Sequence, residues 1–124
     1  TTGRPRRCGW FDAVVVRFAN RLNGFTGIAV TKLDVLDSFA KIPLCVGYKI
    51  NGEILNSVPD PQLMSMVEPI YEIMEGWQSS TRLARSFAEL PATAQRYLRR
   101  IEELVGAPIA IVSVGPDREE TFFM

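Results

Sequence analysis

Apolar residues recur at helical spacing between Phe11 and Asn23, where Phe11, Val14, Val15, Phe18 and Leu22 form one stripe. Ala13, Val16 and Ala19 lie off that stripe. Their presence predicts a helix over 11–23 that is buried on most of its surface. Gly24 stands where a helix C-terminus favours a left-handed residue. A second stripe runs through Ala94, Tyr97, Leu98, Ile101, Leu104 and Val105, predicting a helix over 91–105. Pro91 suits its first turn, Gly106 its end, and Pro108 follows. Arg99 and Glu103 are spaced to pair at i,i+4 on its wet side; Glu102 and Glu103 read as helix surface.

Other segments follow a two-residue period. Leu44, Val46, Tyr48 and Ile50 alternate with Cys45, Gly47 and Lys49, and Asn51-Gly52 supplies a type I′ turn. The pattern predicts a β-hairpin over 44–57. Glu68 to Trp77 reads as an extended segment, with Pro69 favouring a sheet edge. The short runs Gly27–Thr31 and Ile109–Val114 read as strands buried on both faces, at least two strands being parallel. Val58-Pro59-Asp60-Pro61 breaks the chain, and the 56–66 segment carries no assignable role. The alternation of helix, strand and loop predicts a mixed α/β (α+β) fold without internal repeats.

Composition narrows the chemistry. The 124 residues carry 14 Lys+Arg and 14 Asp+Glu, a formal net charge of zero. A balanced chain argues against nucleic-acid binding that rests on phosphate neutralisation. No histidine is present, so this chain alone supplies no Ser-His or Cys-His machinery and no His-ligated zinc. Cys8 and Cys45 match no CxxC pattern; they read as small core residues in a reducing, cytoplasmic setting. Trp10 and Trp77 read as packing residues. No apolar run approaches the ~20 residues of a membrane span, and no signal peptide is expected. The length fits one domain, or a piece of a longer chain, the opening on Thr1 favouring a piece.

Three segments bear candidate chemistry. Two strands end in polar or glycine-containing loops, Thr31-Lys32-Leu33-Asp34 and Ser113-Val114-Gly115-Pro116. Ligands in open α/β sheets collect at such carboxyl ends. A carboxylate at Asp34 has the acceptors to pair with the N1–H and N2–H₂ edge of guanine, a pair of donors that adenine lacks, and the Lys32 stem has the length to lie across a purine face. Taken alone, a solvated turn explains Lys32 and Asp34 equally well, and Gly115-Pro116 also ends a strand. The third segment, Thr1-Thr2-Gly3-Arg4-Pro5-Arg6-Arg7, crowds hydroxyls, a glycine and three guanidiniums into seven residues, a composition suited to carboxylate or phosphate.

Taken together the chain resembles the adenylosuccinate synthetase family. The stretches that carry the resemblance are Thr1 to Asp12, Leu22-Asn23-Gly24, Thr31 to Asp37, Cys45 to Tyr48, Gly76-Trp77, Leu90-Pro91, Ile101-Glu102-Glu103 and Ser113 to Arg118. They come in the family's order and spacing and cover essentially the whole chain. The resemblance implies the C-terminal domain, over residues 1–124, of a larger, mostly parallel-sheet α/β enzyme. It implies a GTP-dependent ligase that joins IMP and L-aspartate into adenylosuccinate, with GDP and phosphate as the other products, in purine biosynthesis. It further implies magnesium, a homodimer, and an N-terminal part bearing the phosphate loop, the metal ligands and the catalytic aspartate and histidine, so that no catalytic residue and no metal ligand lies in this chain. Position by position, Thr1, Thr2, Gly3, Arg4, Pro5 and Arg6 resemble the loop that closes on aspartate. The resemblance further implies that Arg4 reaches IMP and Arg6 reaches GTP. Lys32, Leu33 and Asp34 resemble one guanine-reading loop, and Ser113, Val114 and Gly115 a second. On this reading the isolated chain is inactive. The alternative is a stand-alone guanine-nucleotide-binding or interaction module without catalysis.

Overall fold

A computed structural model describes residues 3–124. The short strand β1 (Phe11–Asp12) runs directly into helix α1 (Ala13–Asn23). Asp12 ends the strand and caps the helix, its carboxylate accepting the N–H groups of Val14 at 2.9 Å and Val15 at 3.2 Å. Gly24, at φ 62°, closes the helix. Strands β2 (Ile28–Val30), β3 (Lys41–Ile50), β4 (Glu53–Leu55) and β5 (Glu68–Glu75) follow. Helix α2 (Ala92–Val105), β6 (Ile109–Ser113) and β7 (Thr121–Phe123) complete the order.

Two mixed sheets result. In the first, β3 is central. It pairs antiparallel with β5 from Lys41–Glu75 to Lys49–Glu68, with β1 in parallel and with β4 in antiparallel register. The β3–β4 hairpin turns at Asn51-Gly52, both with positive φ (49° and 83°), as the sequence predicts for a type I′ turn. Strand β3 begins three residues earlier than the alternation indicates, because Pro43 interrupts the pattern without leaving the ladder. Edge strand β5 accommodates Pro69 opposite Tyr48. In the second sheet β2 and β6 are parallel, with a bulge at Ile28/Ala29, and β7 adds antiparallel to β6.

The main core lies where α2 packs between the sheets. Tyr97, Leu98 and Ile101 of α2 meet Ile42 and Leu44 of β3 and Val112 of β6. A smaller cluster joins Val14, Cys45 and Tyr48, and the Tyr48 hydroxyl donates to the Asp12 carboxylate.

Several sequence expectations are corrected. Helix α1 is not mostly buried: Val15 and Phe18 are each 42% exposed and Leu22 69%. Two of its polar residues, Arg17 and Asn20, face inward instead. Arg17 donates to the carbonyls of Leu104 and Asn56, and Asn20 to that of Val105, satisfying carbonyls at the end of α2. Strands β2 and β6 are covered on one face only, since Ala29 and Ala110 look outward. Arg99 pairs with Glu102 rather than Glu103, and Glu103 with Arg100. Glu102 is more than surface, because it also accepts the Ile109 N–H at 2.8 Å and so anchors the start of β6. Cys45 is buried as expected but Cys8 is exposed; both are free thiols. Trp77 packs in the core, whereas Trp10 lies at the surface, edge-on to Phe39.

Candidate functional site

The parallel pairing of β2 with β6 sets the site. Val30 pairs with Val112, so the two chains leave the sheet side by side at their carboxyl ends. The loop after β2 and the loop after β6 line one cleft of about 360 Å³, formed by Thr31, Lys32, Asp34, Val35, Ser113, Gly115 and Pro116. Of the residues singled out from sequence, Lys32, Asp34, Ser113 and Gly115 therefore come together. Leu33 and Val114 flank the cleft, but their side chains are 2% and 0% exposed and belong to the core; only their backbone is available to a ligand. Thr31, Val35 and Pro116 join the lining without having been singled out as base readers.

Each loop is shaped by local backbone chemistry. Lys32 adopts left-handed angles (φ 59°, ψ 37°), a conformation that costs a non-glycine residue about 1–2 kcal/mol. Burial of Leu33 on the next position holds it there. The following turn, Leu33–Leu36, is closed by Val35 N–H to the Lys32 carbonyl and Asp37 N–H to that of Asp34. Asp34 is half-buried, and among the described residues its carboxylate accepts no hydrogen bond, which leaves both oxygens available to a ligand. In the second loop the Ser113 hydroxyl donates to the Gly115 carbonyl at 2.8 Å. The Gly115 N–H has no acceptor among the described residues. A carboxylate on one wall and a free N–H on the other match the donor and acceptor edge of guanine.

The second loop is supported from below by a residue that sequence reading passed over. The Glu120 carboxylate accepts the Asp117 N–H at 2.9 Å and two bonds from Arg82, Nε at 3.1 Å and Nη2 at 2.7 Å. The Asp117 N–H, followed by the Arg82 guanidinium, holds the Glu120 carboxyl below the usual carboxylate range. The Val114 N–H donates to the Glu120 carbonyl. A signal was present: Asp117 and Glu120 stand at the D-x-x-E spacing of a capping box. The first loop has its own support in Asp37, which accepts from Trp77 Nε1 at 2.7 Å, Thr81 N at 2.8 Å and Thr81 Oγ1 at 2.9 Å.

The third candidate segment is less built. Gly3, Arg4, Pro5 and Arg6 belong to an exposed stretch without regular structure, and Gly3 has φ 67°. Arg4 and Arg6 do not line the cleft, and among the described residues neither forms an ion pair. Thr1 and Thr2 lie outside the described residues. No group of three or more Asp, Glu, Cys or His among the described residues has the arrangement to hold a metal ion, so these residues alone do not fit a magnesium site.

Two strand-end loops over one cleft give the chain the arrangement in which α/β proteins build ligand sites, at the carboxyl ends of parallel strands. Comparison with known proteins makes this specific. A family model described as adenylosuccinate synthetase matches residues 1–122. The adenylosuccinate synthetase of Geotalea uraniireducens is 54% identical over 125 residues, covering 100% of this chain and 29% of the relative. That of Caldanaerobacter subterraneus subsp. tengcongensis is 53% identical with the same coverage. The solved structure of fully ligated adenylosuccinate synthetase from Plasmodium falciparum superposes with a TM-score of 0.93 at 36% identity, covering 100% of this chain and 30% of that one. The chain belongs to the adenylosuccinate synthetase family. It spans less than a third of the length of these relatives.

Proposed function

We propose that residues 1–124 form the C-terminal domain of a GTP-dependent ligase of purine biosynthesis that joins IMP and L-aspartate into adenylosuccinate. In that reaction GTP passes its γ-phosphoryl group to the IMP 6-oxygen, and the aspartate amine then displaces that phosphate at C6. GDP and phosphate leave. The observation that carries the reading is the meeting of Lys32, Asp34, Ser113 and Gly115 in one cleft, within a chain that belongs to this family.

This chain's own share is to bind and orient. Asp34 accepts from N1–H and the 2-amino group of guanine, the Gly115 N–H donates to O6, and the Lys32 stem covers the ring. Ser113 keeps the second loop in shape through the Gly115 carbonyl, while Leu33 and Val114 contribute backbone only. Thr1 to Arg6 form the loop that closes on aspartate, with Arg4 also on IMP and Arg6 on GTP; Gly3 to Arg6 are exposed. Magnesium supplies charge neutralisation on the transferring phosphoryl group. Its ligands, the phosphate loop and the catalytic residues belong to the N-terminal part of the enzyme. The intact enzyme works as a cytoplasmic homodimer, without nucleic acid or membrane. Residues 1–124 alone make no adenylosuccinate when assayed with IMP, aspartate, GTP and magnesium; product above background would refute that.

The test is Asp34→Asn in the intact enzyme. The amide turns an NH₂ toward the guanine 2-amino group, whereas xanthine presents a carbonyl there. Loss of a charged hydrogen bond, about 1.5–3 kcal/mol, lowers kcat/KM for GTP by at least tenfold. Xanthosine triphosphate restores part of it. Unchanged GTP kinetics would remove Asp34 from base reading.

A further inference from the structure

The two walls of the cleft are joined beneath by a continuous chain of polar contacts. Asp37, at the end of the Leu33–Leu36 turn, holds the backbone and hydroxyl of Thr81. The next residue, Arg82, grips Glu120 through two guanidinium nitrogens. Glu120 in turn sits directly under Gly115: a Cβ placed on Gly115 would lie 2.2 Å from Glu120 Cδ and Oε2 and 2.5 Å from Oε1. A side chain on Gly115 would therefore have to displace the Glu120 carboxylate from Arg82 and from the Asp117 N–H, and that anchored carboxylate sets how deep the second loop sits. Arg82 also stands in the field of Asp34 and Asp117, one from each side of the cleft.

We propose that Arg82 and Glu120 are positioning residues for the nucleotide base: acting through Gly115, they set the spacing between the two loops and thereby the preference for guanine. The proposal rests on the reading of this cleft as the guanine site. Neither side chain lines the cleft, so both act through the loop. With the ion pair lost, Glu120 keeps only the Asp117 N–H and is less firmly fixed beneath Gly115, the Gly115 N–H drifts from the O6 position, and the rigid measure between Asp34 and the second loop is lost. Binding of the base suffers, whereas the aspartate and IMP contacts assigned to Arg4, which does not line the cleft, do not.

The experiment uses the intact enzyme and four variants: Arg82→Met, Glu120→Gln, their combination, and Asp34→Asn as the reference for the site itself. Steady-state kinetics are measured for each substrate in turn. Arg82→Met and Glu120→Gln should each raise the GTP KM about fivefold to tenfold, with KM for IMP and aspartate within about twofold of the parent. The double variant should be no worse than the more affected single variant, because both break one contact. Arg82→Lys keeps the charge without the planar fork and should fall between parent and Arg82→Met; where Arg82→Met does not fold, Arg82→Lys carries the same test. The proposal is overturned if Asp34→Asn raises the GTP KM and the Arg82 and Glu120 variants leave it unchanged. It is also overturned if all three KM values rise together, the mark of a merely structural defect. If instead Asp34→Asn leaves the GTP KM unchanged, the guanine reading fails, and the positioning proposal is overturned with it.

Discussion

Removing the Asp37 carboxylate should unseat the segment that lies under the cleft. Three donors converge on it, Trp77 Nε1 and the N–H and hydroxyl of Thr81, all within 2.9 Å. Thr81 is 1% exposed and Trp77 8%, so Asp37→Ala strands buried donors. Each stranded donor costs about 1–3 kcal/mol. Water has access from the side, where Asp37 and Ser38 face Gln78, Ser79 and Ser80 across an open cleft, and it re-satisfies part of the deficit. The loss is then roughly 3 kcal/mol in total, near the low end of three such donors. In the intact enzyme, longer than this chain, where Tm moves by about 2–4 °C per kcal/mol, the expected fall is roughly 6–12 °C. Asp37→Asn keeps one acceptor oxygen but turns an NH₂ toward the remaining donors, and should lose about half as much. Thr81→Val removes the stranded hydroxyl, so combined with Asp37→Ala it should cost less than the two changes added. Calorimetry of the intact protein and its variants provides the assay. A Tm within about 2 °C of the parent for Asp37→Ala, or strict additivity with Thr81→Val, would refute the reasoning.

Two further outcomes follow from the packing. Glu72 is held below the usual carboxylate range by the Arg100 hydrogen bonds at 2.7 and 2.9 Å, which outweigh the opposing effect of burial, while the Arg100 charge adds a smaller lowering. A depressed folded-state value means that the stabilisation is present above the ordinary value of 4.5 and is lost as pH falls through the lowered one. Glu72→Gln should thus be less stable than the parent at neutral pH and equal to it in strong acid; a difference that persists unchanged into acid would refute the assignment. At Gly76 a Cβ would fall 1.8 Å from the Phe39 carbonyl oxygen, and the Gly76 N–H already donates to the Ala40 carbonyl. Gly76→Ala must push two backbones apart and should cost more than about 3 kcal/mol, read as a large Tm loss or failure to accumulate folded protein; near-parent stability would contradict the geometry.

The elements were legible in the sequence wherever a local rule decided them. The Asn51-Gly52 turn, the Pro91 and Gly106 limits of α2 and the edge place of β5 each follow from one or two residues with restricted backbone choices. The burial of α1 was misread because periodicity counts apolar residues without saying which face meets the core. Arg17 and Asn20 are drawn inward by unsatisfied carbonyls at the end of α2, far along the chain. The same holds at the cleft. Lys32, Asp34, Ser113 and Gly115 were singled out as loop residues at strand ends, and the parallel register of β2 and β6 joins them. Arg82 and Asp37 gave no comparable signal, since a lone arginine and a lone aspartate acquire meaning only from partners distant in sequence. Glu120 was readable in part, through its spacing from Asp117.

The pairing that brings the loops together also fixes when, during synthesis, they meet. Ile28 finds its ladder partner only at Ile109, and Val30 only at Val112. At a ribosomal rate of about 5–20 residues per second, β2 spends several seconds without the strand it must join. Helix α2 and the β3–β5 ladder, built from shorter-range contacts, form in that interval. The cleft is thus among the last parts of the chain to exist, closing as β6 slides in beside a strand made long before. Nascent chains arrested before residue 109 would carry an unpaired β2 and no second wall, the state in which a holding chaperone would find its apolar surface.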